Sequence, residues 1–301
     1  MEFLLTNYYD KKYLIRYYLL KCVPQVFRNQ VLKYQYKKFY NDSLNLKFPQ
    51  KLSEKIQWIK LYDNNDLKTI LSDKLSCKKY IQEHLPNLNM AKLYKEFDTV
   101  EDIDFTALPN EFVLKTNHSW KTNIYIYSKN NVSSEQLENM KKYFKRALSI
   151  NYAYWSYYEL HYKNIKPKVF AEEFYGDIWS VKQYEVWCFN GNPEFIVCNF
   201  FVMDNEVSSY KQYIYDCEWK KLQFNLFNDV QLDEIPKPQN LMKIIEYSKI
   251  LSKSFKLVRI DFVENSEKLY LNEITFTPCS GFIKFIGENR DLYYGKKLKL
   301  A

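Results

Sequence analysis

The sequence predicts an α+β protein, and three observations support this class. Apolar residues recur at helical spacing over residues 50–85. After Met90 the chain changes to short β-branched and aromatic runs that are typical of strands. From residue 168 onward several such runs follow one another, with one helix predicted at 239–253. The C-terminal half is therefore expected to be rich in antiparallel hairpins.

The individual elements follow from the same patterns. A further helix is predicted at 134–150, where apolar residues again recur every three to four positions. Strands are predicted at 91–94, 112–115, 124–127, 169–174, 184–189, 195–200, 213–215, 258–263 and 269–274.

Composition excludes several function classes. The chain has 301 residues, of which 47% are apolar and 27% charged, as in ordinary globular proteins. All 5 glycines lie beyond the midpoint, and they do not cluster. Rossmann and Walker motifs need clustered glycines so that backbone N–H groups can approach phosphate. A nucleotide bound by this chain must therefore be held in another way.

Location and metal class can also be predicted. No run of about 18 uncharged apolar residues is present and the N-terminus lacks a secretory pattern, so we expect a cytoplasmic protein without a spanning helix. The 6 cysteines form no CxxC pair and the 3 histidines are far apart, so neither a zinc site nor a disulfide framework is indicated. We expect the cysteines to be reduced core residues.

The net charge is concentrated at the N-terminus. Residues 1–50 contain nine Lys or Arg and three acidic residues, which gives +6 of the total +8, and tyrosines are interleaved with these cations. The pattern fits a pair of helices, split near Pro24, that pack an aromatic stripe on the body of the protein. It also fits peripheral contact with an anionic membrane at its inner face, or with membrane-bound enzymes. A nucleic-acid partner is not expected.

Candidate chemistry lies in a hairpin near the C-terminus. Two apolar strands are joined by a polar turn at 265–267, so Asp261 and Glu273 fall on adjacent antiparallel strands, and Arg259 shares their face. Paired carboxylates suit Mg²⁺, and an arginine beside them suits a phosphoryl oxygen. The alternative interpretation is a surface hairpin whose charges are solvated.

Six segments in this order resemble the TupA-like branch of the ATP-grasp superfamily, over roughly residues 48–285. They are KLSEKIQWIKLYD (51–63), LPNEFVLKTNH (108–118), IKPKVFAEEF (165–174), CFNGNP (188–193), VRID (258–261) and NEITFTPCSGF (272–282).

The resemblance implies an ATP-grasp fold, with two α/β lobes, an ATP cleft between them and a helical N-terminal region. It suggests four segments: a basic aromatic one at 1–48, the N-terminal α/β part at 49–110, a lid lobe at 111–165, and a C-terminal lobe at 166–301 that carries the metal hairpin. The implied function is an ATP- and Mg²⁺-dependent carboxylate–amine ligase that acts through an acyl phosphate in bacterial cell-surface polysaccharide biosynthesis, of the capsule or teichuronic type. Its acceptor would be a sugar acid or polysaccharide, and its second substrate an amino donor.

The resemblance also assigns site residues. Lys115 matches the lysine that reaches the ATP phosphates, and Arg259 matches a residue that stabilises the transferring phosphoryl group. The other matches are Glu172 and Glu173 at the hinge that meets adenine, Asp261, Glu273 and Thr275 as magnesium ligands, and His118 and Lys121 in the loop that covers phosphate.

Two departures from the family pattern leave alternatives open. The loop at 117–123 has no glycine, and Lys121 would supply charge in its place. Glu185 stands where relatives more often have a lysine. A catalytically silent nucleotide-binding scaffold is therefore one alternative. A glycosyltransferase of the same pathway is another, since Asp102 and Asp104 form a DxD triplet.

An aromatic cluster at 151–165 has two readings. Its Tyr and Trp side chains would either stack on a sugar ring or fill the interface between the lobes.

Overall fold

The computed structural model describes residues 11–120, 122–176, 181–204, 207–226, 233–265, 268–287 and 289–300. The described residues form two compact units that are discontinuous in sequence. The first unit takes its residues from 1–28, 65–84 and 91–175, and the second from 29–64, 85–90 and 176–301. The predicted α+β class is confirmed. The division into four continuous segments stays a prediction.

The helices within these ranges are α1 (Lys11–Cys22), α2 (Arg28–Tyr40), α3 (Leu52–Tyr62), α4 (Asp66–Ser72), α5 (Lys74–His84), α6 (Ser134–Leu148), α7 (Tyr152–Trp155), α8 (Leu241–Ser252) and α9 (Arg290–Lys297). The strands are β1 (Leu93–Phe97), β2 (Phe112–Thr116), β3 (Ile124–Ile126), β4 (Val169–Glu172), β5 (Lys182–Phe189), β6 (Asn192–Asp204), β7 (Val207–Tyr215), β8 (Leu257–Asn265) and β9 (Lys268–Thr275). None of these helices is both long and apolar enough to cross a membrane.

The first unit is built on a four-stranded antiparallel sheet in the order β1-β4-β2-β3. Helix α6 begins at a capping box, in which Ser133 Oγ accepts from Gln136 N–H and the Gln136 side chain accepts from Ser133 N–H. Met140 and Phe144 of α6 are buried together with sheet residues such as Phe112 in one apolar core. The four-residue spacing of the two helix residues places both on the face towards the sheet.

The aromatic cluster after α6 packs against α1. The rings of Tyr13 and Tyr17 lie 6.3 and 6.1 Å from that of Trp155, and the Tyr17 hydroxyl accepts from the backbone N–H of Asn151 at 3.1 Å. Tyr152 and Trp155 are buried. This part of the basic segment therefore packs one face on the protein, as the sequence predicts, and the predicted break near Pro24 is confirmed.

The second unit is built on a five-stranded antiparallel sheet in the order β7-β6-β5-β8-β9. Helix α8 packs on β5, β6 and β8. A separate core joins Trp187 and Leu257 of the sheet to Ile56 of α3 and Tyr294 of α9. The sheet is thus fixed by helices that come from distant parts of the chain.

Helix α3 holds the loop that follows β9. Gln57 Nε2 donates to the carbonyls of Ser280 and Gly281 at 3.1 Å, and the buried Lys60 Nζ donates to Ser280 O at 3.0 Å. Cys279, Ser280 and Gly281 all have left-handed backbone, with φ values of 52°, 53° and 73°. A Cβ atom at position 281 would lie 2.5 Å from Gln57 Nε2 and would displace this donor, and the left-handed backbone also favours glycine here.

The cysteine prediction is only partly correct. All six cysteines are free, and Cys77, Cys188 and Cys198 are buried as expected. Cys22, the last residue of α1, and Cys279, in the loop after β9, are exposed, and Cys217 is only partly buried.

Helix α9 approaches the start of α3 backbone to backbone at Gly295. A Cβ atom there would lie 2.0 Å from Gln50 O and 2.7 Å from Leu52 N. We expect Gly295→Ala to lower the free energy of unfolding by about 2–3 kcal/mol, because overpacking outweighs the better helix propensity of alanine. Chemical denaturation measures this. Lys296→Ala, on the exposed side of the same helix, is the control and should change stability by no more than about 0.5 kcal/mol. An unchanged stability of Gly295→Ala would contradict the close contact.

Candidate functional site

Three carboxylates form a row across the sheet of the second unit. Asp261 of β8 is the register partner of Glu185 on β5 and of Glu273 on β9. Directly opposite residues of antiparallel strands lie on the same face, with Cβ atoms roughly 5 Å apart. The predicted β8–β9 hairpin and its Asp261–Glu273 pairing are therefore confirmed. Part of the predicted turn, residues 266–267, lies outside the described residues.

Arg259 compensates part of this negative charge. Its Nε and Nη2 donate to the two carboxylate oxygens of Asp261 at 2.8 and 2.6 Å, and its Nη1 lies 3.5 Å from Glu185 Oε2. Arg259 and Asp261 are two residues apart on β8, so both side chains emerge on the same face. The pair is bidentate, which fixes the guanidinium plane as well as its position.

Two amide side chains extend the polar row. Asn199 Nδ2 on β6 donates to Glu185 Oε1 at 2.8 Å, and Gln212 Nε2 on β7 donates to Asn199 Oδ1 at 3.1 Å. Asn199 and Gln212 are buried. Because a buried polar group needs a partner, this chain of hydrogen bonds orients the Glu185 carboxylate towards Arg259.

Burial controls the protonation of the charged pair. It raises the pKa of Asp261 above its ordinary value, against the opposing effect of Arg259, while the neighbouring Glu185 and Glu273 add to the rise. Burial alone would lower the pKa of Arg259, but Asp261 and Glu185 outweigh it, so the guanidinium stays charged. A further cation near these carboxylates would favour the ionised form of Asp261.

The donor set fits a magnesium ion that is completed by phosphate. Thr275 is opposite Arg259 and two residues beyond Glu273, so its hydroxyl lies on the face of the two carboxylates. Within the part of the chain that the structure describes, no three His, Cys, Asp or Glu side chains are grouped to hold a metal. Mg²⁺ usually takes only one or two protein carboxylates and fills its octahedron with phosphate and water. Asp261, Glu273 and Thr275 are oxygen donors of the right kind.

A second charged cluster lies within the first unit. Lys115 Nζ of β2 lies 2.5 Å from Glu172 Oε1 of β4, and Lys78 Nζ of α5 lies 2.7 Å from Glu172 Oε2. Burial alone would raise the pKa of Glu172, but the two ammonium groups hold it below its ordinary value. The triad carries one net positive charge, so it suits an anion such as phosphate.

The other residues assigned from the family pattern have mixed surroundings. Glu173 binds the backbone of Lys92 twice: its N–H donates to the carbonyl at 2.8 Å, and its Oε2 accepts from the N–H at 3.0 Å. His118 is buried, with its Nε2 3.2 Å from Ile150 O and its ring edge-on to Tyr152. These contacts favour a packing role for the His118 ring. Lys121 lies outside the described residues.

The loop without glycine is closed by hydroxyl groups. Thr122 Oγ1 is hydrogen-bonded to Thr116 Oγ1 at 2.8 Å and to Ser119 Oγ at 2.6 Å, and Thr116 is also bonded to Ser119. Asn117 Nδ2 donates to Asp73 Oδ1 at 3.0 Å, which ties the loop to the start of α5. The described residues of 117–123 have no left-handed backbone. The described part of this loop therefore folds without the conformations for which glycine is needed.

The DxD triplet has local partners. Asp102 Oδ2 accepts from the N–H and hydroxyl of Thr99, and Asp104 Oδ1 accepts from those of Thr106. Both carboxylates therefore stabilise their own turns, which is the usual role of aspartate in such positions.

Sequence reasoning missed three residues of these clusters. Lys78, Asn199 and Gln212 come from segments that carry no family motif, and only the folded chain brings them to the candidate residues. For Lys78, the sequence feature that could have indicated membership of the cluster is its position on the inner side of an amphipathic helix.

Comparison with known families decides the ancestry of the chain. The profile of the family described as TupA-like ATPgrasp matches residues 54–299. The chain belongs to the TupA-like ATP-grasp family. The predicted ATP-grasp fold is thereby confirmed. The match covers every resembling segment except the first three residues of the first one. No curated protein matches the sequence.

Several solved structures are similar to this TupA-like chain at low identity. They include D-alanine–D-alanine ligase from Bacillus anthracis complexed with ATP (15% identity, 69% of this chain and 56% of that one, TM-score 0.43). The ATP-grasp ligase PsnB complexed with a precursor variant, Mg and ADP matches at 8% identity over 79% of this chain and 57% of that one, with a TM-score of 0.42. An L-amino acid ligase from Bacillus licheniformis matches at 11% identity over 76% of this chain and 47% of that one, also at 0.42. The chain thus spans about half the length of these proteins.

The stability of the TupA-like chain should depend on the buried triad of Lys78, Lys115 and Glu172. We expect Glu172→Gln to lower the free energy of unfolding by about 3 kcal/mol or more, because it leaves two ammonium groups without their carboxylate. Glu96→Gln is the matched control: Glu96 pairs with Lys168 at 2.9 Å on a half-exposed surface, and its loss should cost at most about 1 kcal/mol. Equal effects of the two substitutions in chemical denaturation would show that burial adds nothing to the triad.

His118 predicts a pH dependence. Burial lowers its pKa from 6.5 to about 4. Below pH 6.5 the unfolded chain binds a proton on this ring, whereas the folded chain binds it only near pH 4. The free energy of unfolding therefore decreases as the pH falls from 6.5 towards 4. The loss attributable to this ring is about 3 kcal/mol. We expect His118→Gln to flatten this part of a stability–pH profile measured by denaturation, whereas His84→Gln, at an exposed position, should leave it unchanged.

Proposed function

We propose that this chain is an ATP- and Mg²⁺-dependent, ADP-forming carboxylate–amine ligase of cell-surface polysaccharide biosynthesis. Family membership supports ATP binding in general. The observation that carries the proposal is the row of Asp261 and Glu273 beside Arg259, since it combines oxygen ligands for a divalent cation with a fixed guanidinium. Such a combination stabilises the charge that develops on a transferring phosphoryl group.

Each cluster would have its own task. Asp261, Glu273 and Thr275 would hold Mg²⁺, which would supply positive charge to neutralise phosphate. Arg259 would donate to the oxygens of the transferring group. In the first unit, Lys115 would bind phosphate, and Glu172 keeps its ammonium group in place.

The remaining assignments are parts of the same proposal. Glu172 and Glu173 would lie at the adenine end of the nucleotide. Lys121 would add charge in the loop at 117–123. His118 would support this loop from inside, because its ring is buried.

The proposed reaction has two displacements. An acceptor carboxylate oxygen bonds to the terminal phosphorus of ATP as ADP leaves, which gives an acyl phosphate. The nitrogen of the amino donor then bonds to the acyl carbon as inorganic phosphate leaves. The acceptor would be a uronic acid or a polysaccharide that contains one, and both substrates would enter from the cytoplasm.

A silent nucleotide-binding scaffold is the second candidate, and Glu185 favours it. This carboxylate is 3.5 Å from Arg259, where a cation would attract phosphate more strongly. Thermal unfolding of the protein with and without Mg·ATP, combined with nucleotide analysis, separates the candidates. A ligand at 100 times its Kd stabilises the folded state by about 2.7 kcal/mol. Stabilisation with ADP release supports the ligase, and stabilisation without turnover over a panel of sugar acids and amines supports the scaffold.

We expect Asp261→Asn to reduce ADP release roughly 100-fold or more, because the metal loses a charged oxygen ligand and Arg259 loses the carboxylate that fixes it. Lys115→Met should have a similar effect, mainly through weaker ATP binding. Chromatographic separation of ADP, AMP and phosphate provides the measurement. Glu83→Gln and Lys79→Met, which change exposed charges on α5, are the controls and should retain full activity. Release of AMP and pyrophosphate alone would overturn the ligase mechanism.

A further inference from the structure

Helix α1 has apolar residues on two opposite faces, and the described residues of the protein cover only one of them. Tyr13, Tyr17 and Leu20 face α7 and its surroundings, and Tyr17 and Leu20 are buried. Arg16 reinforces this contact, since its Nη2 donates to Trp155 O at 3.3 Å. The spacing of three and four residues defines the inner face of the helix.

The outer face of α1 is exposed and aliphatic. At about 100° per residue, Ile15, Tyr18 and Leu19 point away from the inner face. Ile15 is 53% exposed and Leu19 67%. Exposed apolar side chains continue beyond the helix at Val26 and Phe27. We call the outer side of α1 together with these two residues the docking face.

This concentration is not typical of the rest of the protein. Apart from Tyr13 on the inner face, five of the fifteen large apolar side chains that are exposed among the described residues lie between positions 15 and 27. Single exposed apolar residues are normal on a protein surface, but several that lie close together in the chain favour an interaction surface.

The charge around the docking face indicates the partner. Between Lys11 and Asn41 the chain has eight basic residues and no acidic one. Lys11, Lys12 and Lys21 lie at the two ends of α1 and are exposed. A partner that satisfies both features must offer anionic groups directly beside an apolar layer.

An anionic lipid bilayer has this construction, because its phosphate headgroups lie directly above the acyl chains. A nucleic acid would pair with the lysines but would leave the aliphatic side chains of Ile15 and Leu19 in water. We propose that the docking face binds the surface of an anionic membrane, with Ile15, Leu19, Val26 and Phe27 entering the boundary of headgroups and acyl chains. Lys11, Lys12 and Lys21 then lie at headgroup level. Membrane binding at this face does not require the ligase activity.

The test is co-sedimentation of the full chain with vesicles of phosphatidylcholine alone or mixed with phosphatidylglycerol. We expect binding to the mixed vesicles only. The double variant Ile15→Ser/Leu19→Ser should bind more than tenfold more weakly, because two aliphatic side chains no longer enter the bilayer. Ile70→Ser/Met242→Ser removes two exposed apolar residues elsewhere and is the matched control, which should bind like the unmodified protein.

Charge is tested separately. Each surface-near lysine contributes about 1 kcal/mol, so Lys11→Gln/Lys12→Gln/Lys21→Gln should weaken binding by roughly 100-fold. Leu19→Trp keeps the face apolar and should bind at least as well as the unmodified protein, whereas an unchanged denaturation midpoint of the serine variant shows that its loss of binding is not due to misfolding. The proposal is overturned if the protein ignores phosphatidylglycerol. It is also overturned if the serine variant binds normally, or if the protein prefers short duplex DNA to the mixed vesicles.

Discussion

A single guanidinium between carboxylates is the interaction on which the candidate site depends. Arg259 binds both oxygens of Asp261 and reaches Glu185, while Glu273 stands in the next strand. Charges interact more strongly where water is excluded, so the loss of one charge from this buried group would strongly affect the remaining ones. The sheet order places β8 between β5 and β9, so the row exists only when all three strands are paired. Because the buried amides of Asn199 on β6 and Gln212 on β7 continue the row, its complete form requires that all five strands are paired.

Two segments of the family pattern that are distant in sequence contact each other in the structure. The segment at 51–63 forms α3, whose Gln57 and Lys60 bind the carbonyls of the loop at 279–281. That loop directly continues the strand that carries Glu273 and Thr275. Three consecutive left-handed residues are unfavourable without support, and α3 supplies it through side-chain donors. The first segment therefore acts on the candidate site indirectly, by fixing the end of the strand that carries Glu273 and Thr275.

Much of the fold follows from the sequence, and the rest does not for identifiable reasons. Period-two alternation predicts β8 and β9 and so the pairing of Asp261 with Glu273, because register within a hairpin is a local property. The pairing of Glu185 with Asp261 joins residues 76 positions apart, and no periodicity encodes it. The burial of His118 is likewise invisible, since it depends on Tyr152 and Ile150 closing over the ring. Lys78 reads as one more surface lysine until α5 is placed beside β4.

The triad of Lys78, Glu172 and Lys115 orders two lysine side chains within the folded protein. A lysine side chain that becomes ordered loses up to about 2 kcal/mol of rotamer freedom. Because Glu172 already holds both ammonium groups, this loss occurs when the chain folds and not when an anion arrives. If Lys115 binds phosphate as proposed, its ammonium group is already in place before the ligand arrives, and selectivity would be governed by the desolvation and charge of the incoming group.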